Sequence, residues 1–330
     1  MTVSIPFTSQ EAWHTLRAKD ITSTDVAALF NLSPYLTAFE LWHRKKKGIP
    51  IDIEPSDLMR WGSRLQTSIA EGIAEDEGWT IRRMDEYMRD QEMKIGASFD
   101  FSIENTGMAG PPIEVTARPK LVIASKESNE IFGKGLLEIK NISQWAARDG
   151  WDLDGDVKEA PPHIEIQVQH QLLVSGRAFA YIGGLIGGNK VVLIKRAPQP
   201  DIHAAILKKV AAFWASIEAN QPPEPDFSRD AKFVSKLFGY AEPGKVSYDV
   251  PPDLARLART HYQLGVDERR IKAERETLKA QMLTLIGEAE KVFGDDFTIT
   301  AGVVGPTHVS YDRDGYRNFR VVPKTKGGWK

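Results

Sequence analysis

The chain has 330 residues, with 43 Lys and Arg against 45 Asp and Glu, and it contains no cysteine. This length permits two domains, and the absence of cysteine excludes disulfides, thiolate zinc sites, cysteine nucleophiles and iron–sulfur clusters. A formal net charge of -2 argues against a protein that coats nucleic acid with its whole surface.

The sequence also lacks the roughly 18 to 20 consecutive apolar residues that a membrane crossing needs. Its first ten residues, MTVSIPFTSQ, have neither the basic nor the apolar region of a signal peptide. We therefore expect a cytoplasmic protein that does not contact membranes.

Helix start signals dominate the first fifty residues. Thr8 with Glu11, and Thr37 with Glu40, have the spacing of a capping box, in which a hydroxyl and a carboxylate satisfy free backbone donors. Gly48 favours a helix end. The sequence predicts three short helices, and the middle one starts within residues 21–25.

Residues at this middle helix start could bind an anion. A helix N-terminus carries partial positive charge and free N–H groups, and Arg17 lies one turn before Thr24. The two side chains could share a phosphate. Plain helix capping beside a surface arginine explains the same pattern.

Two strands are predicted to carry the chemistry. Residues 93–103 alternate apolar and polar positions and place Ser98 and Asp100 on one side, and residues 135–141 place Glu138 and Lys140 on one face by the same period of two. Together they form the pattern D…(E/D)-x-K. Carboxylates supply the oxygen ligands that Mg²⁺ prefers, and a lysine can stabilise charge on a phosphate. Alternating Glu and Lys are also typical of a solvated strand face.

The surrounding sequence resembles the YqaJ-type viral recombinases and, more remotely, the lambda exonuclease, over roughly residues 11–188. The blocks that carry the resemblance are Ala12-Trp13-His14-x-Leu16-Arg17, Ile21-Thr22-Ser23-Thr24-Asp25, Leu32-Ser33-Pro34-Tyr35, Glu40-Leu41-Trp42, Trp61-Gly62, Gly96-Ala97-Ser98-Phe99-Asp100, Gly135-Leu136-Leu137-Glu138-Ile139-Lys140 and Gln167-Val168-Gln169-His170. The resemblance implies a PD-(D/E)xK fold of the α/β (α+β) class, with a mixed β-sheet flanked by helices. It also implies Mg²⁺-dependent exonuclease activity on double-stranded DNA ends, with Mn²⁺ able to replace Mg²⁺.

The resemblance assigns roles to residues of this chain. Asp100 and Glu138 match the metal-binding carboxylates, the carbonyl of Ile139 would complete the metal's coordination, and Lys140 matches the catalytic lysine. Asp90 matches an additional acidic position that would organise water.

A second set of matched positions concerns the substrate. Arg17, Thr24 and Ser98 match positions that hold a phosphate, which favours a 5′-phosphorylated end. Gln167 matches a glutamine that holds the attacking water or a phosphate. Residues 163–170 fit either a helix or a strand.

Three departures from the family pattern stand out. Gln66 occupies a position where the family commonly has a metal-binding glutamate, and an amide brings no charge to a metal. Glu71 could replace that glutamate only with altered geometry, because on a helix it points about 140° away from Gln66. The segment 104–134 is longer than the family norm. It could be a flap that contacts DNA or an inert insertion. Phe99 replaces the usual proline before Asp100.

The C-terminal part differs in character from the rest. We place the domain boundary after residue 228, with a nuclease domain over 1–228 and an extension over 229–330. The extension is predicted to hold a long helix over 253–287 and a β-like tail over 297–322. A leucine or isoleucine every seventh residue from Leu257 to Leu285 marks one ridge of this helix. That ridge fits a helix or helical hairpin packed on one side better than a free coiled coil.

The tail interleaves basic and aromatic residues, a pattern that suits single-strand binding or an exposed hairpin with a disordered end. Its basic residues are Arg313, Arg317, Arg320, Lys324, Lys326 and Lys330.

The sequence therefore predicts a Mg²⁺-dependent exonuclease that degrades one strand of linear duplex DNA, 5′ to 3′, in phage-type recombination by strand annealing. The expected partners are DNA ends, a single-strand annealing protein and other copies of the chain, as a ring trimer. The expected location is the cytoplasm of a bacterial host, with the gene carried by a phage or prophage. Two alternatives are a structure-specific endonuclease of the same fold and a catalytically weakened DNA-end-binding module.

Overall fold

The structure is a computed structural model that describes residues 2–6, 9–48, 56–105, 134–148, 150–153, 158–312 and 315–323. Most of the predicted insertion, residues 106–133, and the tail positions Arg313, Lys324, Lys326 and Lys330 lie outside these ranges. The chain divides into two compact units, Met1–Phe233 and Val234–Lys330.

The described strands and helices are as follows. The strands are β1 (Thr2–Pro6), β2 (Ile21–Thr22), β3 (Thr80–Arg83), β4 (Glu86–Asp90), β5 (Ile95–Ser98), β6 (Phe101–Asn105), β7 (Gly135–Ile142), β8 (Phe179–Ile186), β9 (Lys190–Arg196), β10 (Lys291–Phe293) and β11 (Thr298–Thr300). The helices are α1 (Gln10–Ala18), α2 (Val26–Leu29), α3 (Ala38–Lys47), α4 (Asp57–Glu77), α5 (Pro162–Ser175), α6 (Pro200–Glu218), α7 (Phe227–Leu237) and α8 (Pro252–Ile286), with a short 3₁₀ helix at Ala146–Arg148.

A five-stranded mixed sheet forms the centre of the first unit, in the order β3-β6-β7-β8-β9. Strands β7 and β8 are parallel, and the other neighbours are antiparallel. The parallel connection runs through α5, as a parallel pair requires a crossover. Strand β7 is therefore central, and its residues reach both faces of the sheet.

Each face of this sheet has its own apolar core. Alternation along β7 sends Leu137 and Ile139 to the face where they pack with Ile69 and Ile73 of α4. It sends Leu136 and Ile142 to the opposite face, in the core shared with α5 and α6. Glu138 and Lys140 have the same parity as Leu136, so they point toward α5.

A second sheet, in the order β1-β4-β5-β2, lies beside the N-terminal helices. Two helix ends follow the predicted signals: the Thr37 hydroxyl accepts from the backbone of Glu40, and Gly48 ends α3 with φ +62°. At α1, Ser9 rather than Thr8 is the N-cap, and its hydroxyl accepts from the Ala12 N–H. Thr8 itself lies outside the described residues.

The predicted strand over residues 93–103 is wrong in one respect. The strand is interrupted at Phe99–Asp100, so that β5 belongs to the four-stranded sheet and β6 to the five-stranded sheet. Odd positions from Ile95 to Ile103 are nevertheless buried, as the alternation predicts. Asp100 thus stands at the junction of two sheets rather than in the middle of one strand.

In the second unit, α8 is one uninterrupted helix of 35 residues and not a helical hairpin. The antiparallel hairpin β10-β11 follows it. The predicted β-like tail over 297–322 is corrected accordingly: strand pairing involves 291–293 and 298–300, and the described residues after Thr300 have no regular secondary structure.

These elements confirm the predicted α+β class, with mixed sheets flanked by helices and a C-terminal extension made of a long helix and a β-hairpin. None of the helices within the described ranges combines the length and the apolar character that a membrane crossing needs.

Candidate active site

Glu138 and Lys140 form the centre of a polar group on the α5 side of β7. The Lys140 Nζ lies 2.7 Å from Glu138 Oε1. Two residues apart on a strand, the side chains share a face, as the period of two predicts. Glu138 is only 5% exposed, so this carboxylate is desolvated and depends on its donors.

Asp100 meets the same strand from the side. Strand β6 pairs with β7 only as far as Phe101 and Leu137, so within the described residues no strand pairs with this edge of β7 beyond Leu137. The Asp100 carboxylate takes that place and accepts a hydrogen bond of 2.8 Å from the Ile139 N–H. Because N–H and C=O of one strand residue point to the same edge, the Ile139 carbonyl also faces this side.

Burial, and after it the nearby Glu138 carboxylate, raise the pKa of Asp100 to about 7, against the lowering effects of Lys140 and of hydrogen bonds from Ile139 and Gln66. Gln66 on α4 thus reaches Asp100 with its amide. Burial alone would lower the pKa of Lys140, but Glu138 and Asp100 raise it, so the ammonium form is favoured.

Helix α5 supplies two amides to Glu138. Gln167 Nε2 donates to Glu138 Oε1 at 2.6 Å, and its Oε1 lies 3.4 Å from Lys140 Nζ. Gln171, one turn later, donates to Glu138 Oε2 at 2.8 Å and to the Ser98 carbonyl at 3.3 Å. Residues 163–170 are helical, as part of α5, and the side chains of Gln167 and Gln171, four residues apart, reach one carboxylate.

Sequence reasoning missed Gln171. Its spacing of four from Gln167 was a usable signal once that segment is taken as a helix. The neighbouring Gln169 points elsewhere and bonds the Ala197 carbonyl.

A second polar group, called the Arg17 group below, contains the predicted phosphate-binding residues Arg17, Thr24 and Ser98 together with Trp13 and Thr22. Arg17 donates to the Thr24 hydroxyl at 2.8 Å and to the Thr22 hydroxyl at 3.4 Å. The Arg17 guanidinium also stacks 4.3 Å from the Trp13 ring centroid, and the Trp13 indole donates to the Ser98 hydroxyl at 2.7 Å. Arg17, Thr24 and Ser98 are thus linked through Trp13, which sequence reasoning gave no role.

The Arg17 group rests on a buried ion pair. Lys45 Nζ lies 2.8 Å from Asp25 Oδ2, with side chains 6% and 2% exposed. The same ammonium donates to the carbonyls of Arg17 and Asp20 at the end of α1. Asp25 in turn accepts from the Thr22 N–H at 3.1 Å. The pair ties the helix end that carries Arg17 to the turn that carries Thr24.

Asp90 lies apart from both groups, and its predicted role in organising water stays a prediction. Its carboxylate accepts from the backbone N–H groups of Glu92 and Met93, each at 3.0 Å. Asp90 pairs with Ile95 at one end of β5, whereas Ser98 stands at the other end, about 10 Å away at 3.3 Å per residue. Asp90 shapes the β4-β5 turn.

The metal-binding capacity of the site rests on few groups. Within the described residues, no three acidic or histidine side chains converge. The available oxygens are the two carboxylates of Asp100 and Glu138, the Ile139 carbonyl and the Gln66 amide. Repulsion between the two buried carboxylates, which raises the pKa of Asp100, would be relieved by a cation. The residues therefore fit a hard divalent metal.

Comparison with known proteins gives one family. The model of the YqaJ-like viral recombinase domain matches residues 12–178, about half of the 330-residue chain. No curated protein matches the chain. Among solved structures, the alkaline exonuclease LHK-Exo from Laribacter hongkongensis is similar at 18% identity, with 69% of this chain and 100% of that chain covered and a TM-score of 0.44. Its complex with dAMP matches at the same identity and coverage with a TM-score of 0.45.

Proposed function

Since the chain belongs to the YqaJ-like viral recombinase domain family and is a nuclease of the lambda exonuclease type, we propose that it hydrolyses one strand of linear double-stranded DNA from a 5′-phosphorylated end. The observation that carries the proposal is the convergence of Asp100, Glu138, Lys140 and Gln167 next to the Arg17 group. A carboxylate pair with an adjacent ammonium suits phosphodiester hydrolysis.

Asp100, Glu138 and the Ile139 carbonyl are the proposed holders of Mg²⁺, and Mn²⁺ should replace it because the same oxygen ligands suit both ions. When bound, the metal supplies charge neutralisation at the phosphate oxygens. Gln66 is the weak member of this set, since its amide brings an oxygen but no charge.

The chain's own residues position the water and the phosphate. The Gln167 amide lies between Glu138 and Lys140 and orients the attacking water. The Lys140 ammonium stabilises the negative charge that develops on the phosphoryl oxygens. The water oxygen bonds to phosphorus and releases a proton to solvent, while the bond to the 3′ oxygen of the terminal nucleotide breaks and that oxygen takes up a proton from solvent.

This choice of bond determines the products. A mononucleotide with a 3′ hydroxyl leaves, and the shortened strand carries a new 5′ phosphate. The Arg17, Thr24 and Ser98 groups would bind that phosphate in the next cycle, with the Arg17 guanidinium as the charged donor. Strand polarity from 5′ to 3′ follows from the same pocket.

The biological setting belongs to the proposal as well. A strand-degrading nuclease of a viral recombinase family leaves single strands that an annealing protein can pair, in the cytoplasm of a bacterial host carrying the phage or prophage. A chain of net charge -2 has no overall attraction to the DNA anion. A ring trimer that encloses the duplex would keep such a chain on its substrate.

The test uses linear duplexes with a 5′ phosphate, linear duplexes with a 5′ hydroxyl, and covalently closed circles. Release of mononucleotides from the phosphorylated linear duplex with Mg²⁺, none from circles and none in EDTA, is the expected result. Cleavage of circles would instead favour a structure-specific endonuclease.

The amide at Gln66, which donates to Asp100 where a metal-binding glutamate would add charge, favours an end-binding module as second candidate. Binding of duplex ends in EDTA without cleavage in Mg²⁺ or Mn²⁺ would support that module.

A further inference from the structure

One aromatic side chain stands exposed on a rigid loop. Tyr35 is 84% exposed, although tyrosine usually buries its ring. The buried Ser33 hydroxyl accepts from the backbone N–H groups of both Tyr35 and Leu36, at 3.2 and 3.1 Å. Pro34, between Ser33 and Tyr35, has a restricted φ. The backbone that presents the ring is therefore fixed.

Helix α7 braces the same loop from outside. Arg229 donates to the Ser33 carbonyl at 2.5 Å, and the Thr37 hydroxyl donates to Asp230 at 2.5 Å. Asp230 is 1% exposed. These two contacts come from a segment about 195 residues further along the chain. They hold the loop on both sides of Tyr35, so the backbone at Tyr35 is not that of a mobile surface loop.

The ring stands beside the proposed active site. It meets His163, in the first turn of α5, edge to face with 6.1 Å between ring centroids. Tyr35 and His163 both lie within electrostatic range of the Lys140 ammonium. Among the described residues, no hydrogen bond of the Tyr35 hydroxyl is found, and the side chain is largely open to solvent.

We propose that Tyr35 is a substrate contact that stacks on the nucleobase of the strand being degraded, next to the phosphate held at Lys140. This inference rests on the proposed function. One sugar joins the phosphate of a nucleotide to its base, and Tyr35 is near enough to Lys140 for the two side chains to interact electrostatically. Stacking on an aromatic ring does not depend on which base is present, as a nuclease that removes every nucleotide requires.

Rigidity adds to the contact. A ring carried on a fixed backbone loses less conformational freedom on stacking than one on a mobile loop, so more of the stacking free energy appears as affinity. A terminal base held on Tyr35 is also a base withdrawn from its pair, which would separate the strand to be cut from its complement.

The experiment compares wild type with Tyr35→Ala and Tyr35→Phe on 5′-phosphorylated linear duplexes. The terminal nucleotide on one substrate is intact and on the other is abasic, and the dissociation constant is measured in EDTA. Tyr35→Ala should bind the intact end about tenfold more weakly than wild type, and Tyr35→Phe should bind it like wild type. Wild type and both variants should bind the abasic end with the same dissociation constant. A 5-iodouracil at the terminus should photo-crosslink to Tyr35 in the wild type.

Tyr240→Ala is the matched control, since Tyr240 is 78% exposed and lies in the second unit. Thermal melting should be unchanged in all variants, because an exposed ring contributes little to folding. Equal binding of the intact end by wild type and Tyr35→Ala would overturn stacking. So would a defect shared by Tyr35→Phe, which would indicate a hydroxyl contact, or a defect that persists on the abasic end. A wild type that neither binds nor cuts any duplex end would refute the proposed function, and stacking with it.

Discussion

Replacement of Gln66 by glutamate tests the electrostatic reading of the site. The wild-type amide donates to Asp100, whose pKa is already raised to about 7 by burial and by Glu138. Gln66→Glu removes that donor and adds a third negative charge. Loss of a hydrogen bond to a charged group costs about 1.5 to 3 kcal/mol, and two charges about 5 Å apart repel by about 3 kcal/mol at an effective dielectric constant of 20.

The two costs do not simply add. Asp100 can take up a proton near neutral pH, which removes most of the repulsion, so we expect a net loss of about 2 to 3 kcal/mol in the metal-free protein at pH 8. For a folding unit of this size, that corresponds to a melting temperature lower by about 5 to 10 °C. Mg²⁺ should reverse the order, since a third carboxylate strengthens the metal site.

The assay is thermal melting in EDTA and over a Mg²⁺ titration. Ser68→Glu is the matched control: Ser68 is exposed on the same helix, two residues from Gln66 and so about 200° around it. It adds the same charge away from Asp100 and should melt like wild type. If Gln66→Glu also melts like wild type in EDTA, and responds equally to Mg²⁺, the proposed electrostatics of the site are wrong.

Three further predictions concern the phosphate pocket, its support and the pH dependence. Arg17→Ala should abolish the preference for a 5′ phosphate over a 5′ hydroxyl, measured as the ratio of the two kcat/KM values, because the charged donor is lost; an unchanged ratio would remove Arg17 from the pocket. Lys45→Met should lower the free energy of unfolding by about 3 to 5 kcal/mol in denaturant titrations, since it leaves Asp25 buried without its partner, whereas Lys47→Met, at an exposed position, should change it little. Stabilisation by Mg²⁺ should grow between pH 6 and 8, because Asp100 must lose its proton before a cation binds and its pKa is about 7; a melting shift independent of pH over that range would contradict this assignment.

Local patterns predicted the local features of this chain well. The period of two along β7 placed Glu138 and Lys140 on one face, and they meet at 2.7 Å. The capping signals at Thr37 and Gly48 also match the structure. Both depend on interactions between residues a few positions apart, which a single sequence records directly.

Features set by distant contacts were harder to predict. Alternation of apolar residues continues across Phe99 and Asp100, so the sequence does not show that the chain moves there from one sheet to another. Lys45 lies in a basic run, where a solvated helix end is the natural reading, yet its ammonium is buried against Asp25. That outcome depends on how α1 and α2 pack on α3, which no local pattern encodes.

The most direct test of the central claim is the single-turnover rate of mononucleotide release from a 5′-phosphorylated linear duplex by Lys140→Ala. The account predicts a loss of about a hundredfold to a thousandfold or more, in a protein that still folds and still binds the 5′-phosphorylated end. Release at the wild-type rate would contradict the claim that Asp100, Glu138 and Lys140 together hydrolyse the phosphodiester bond.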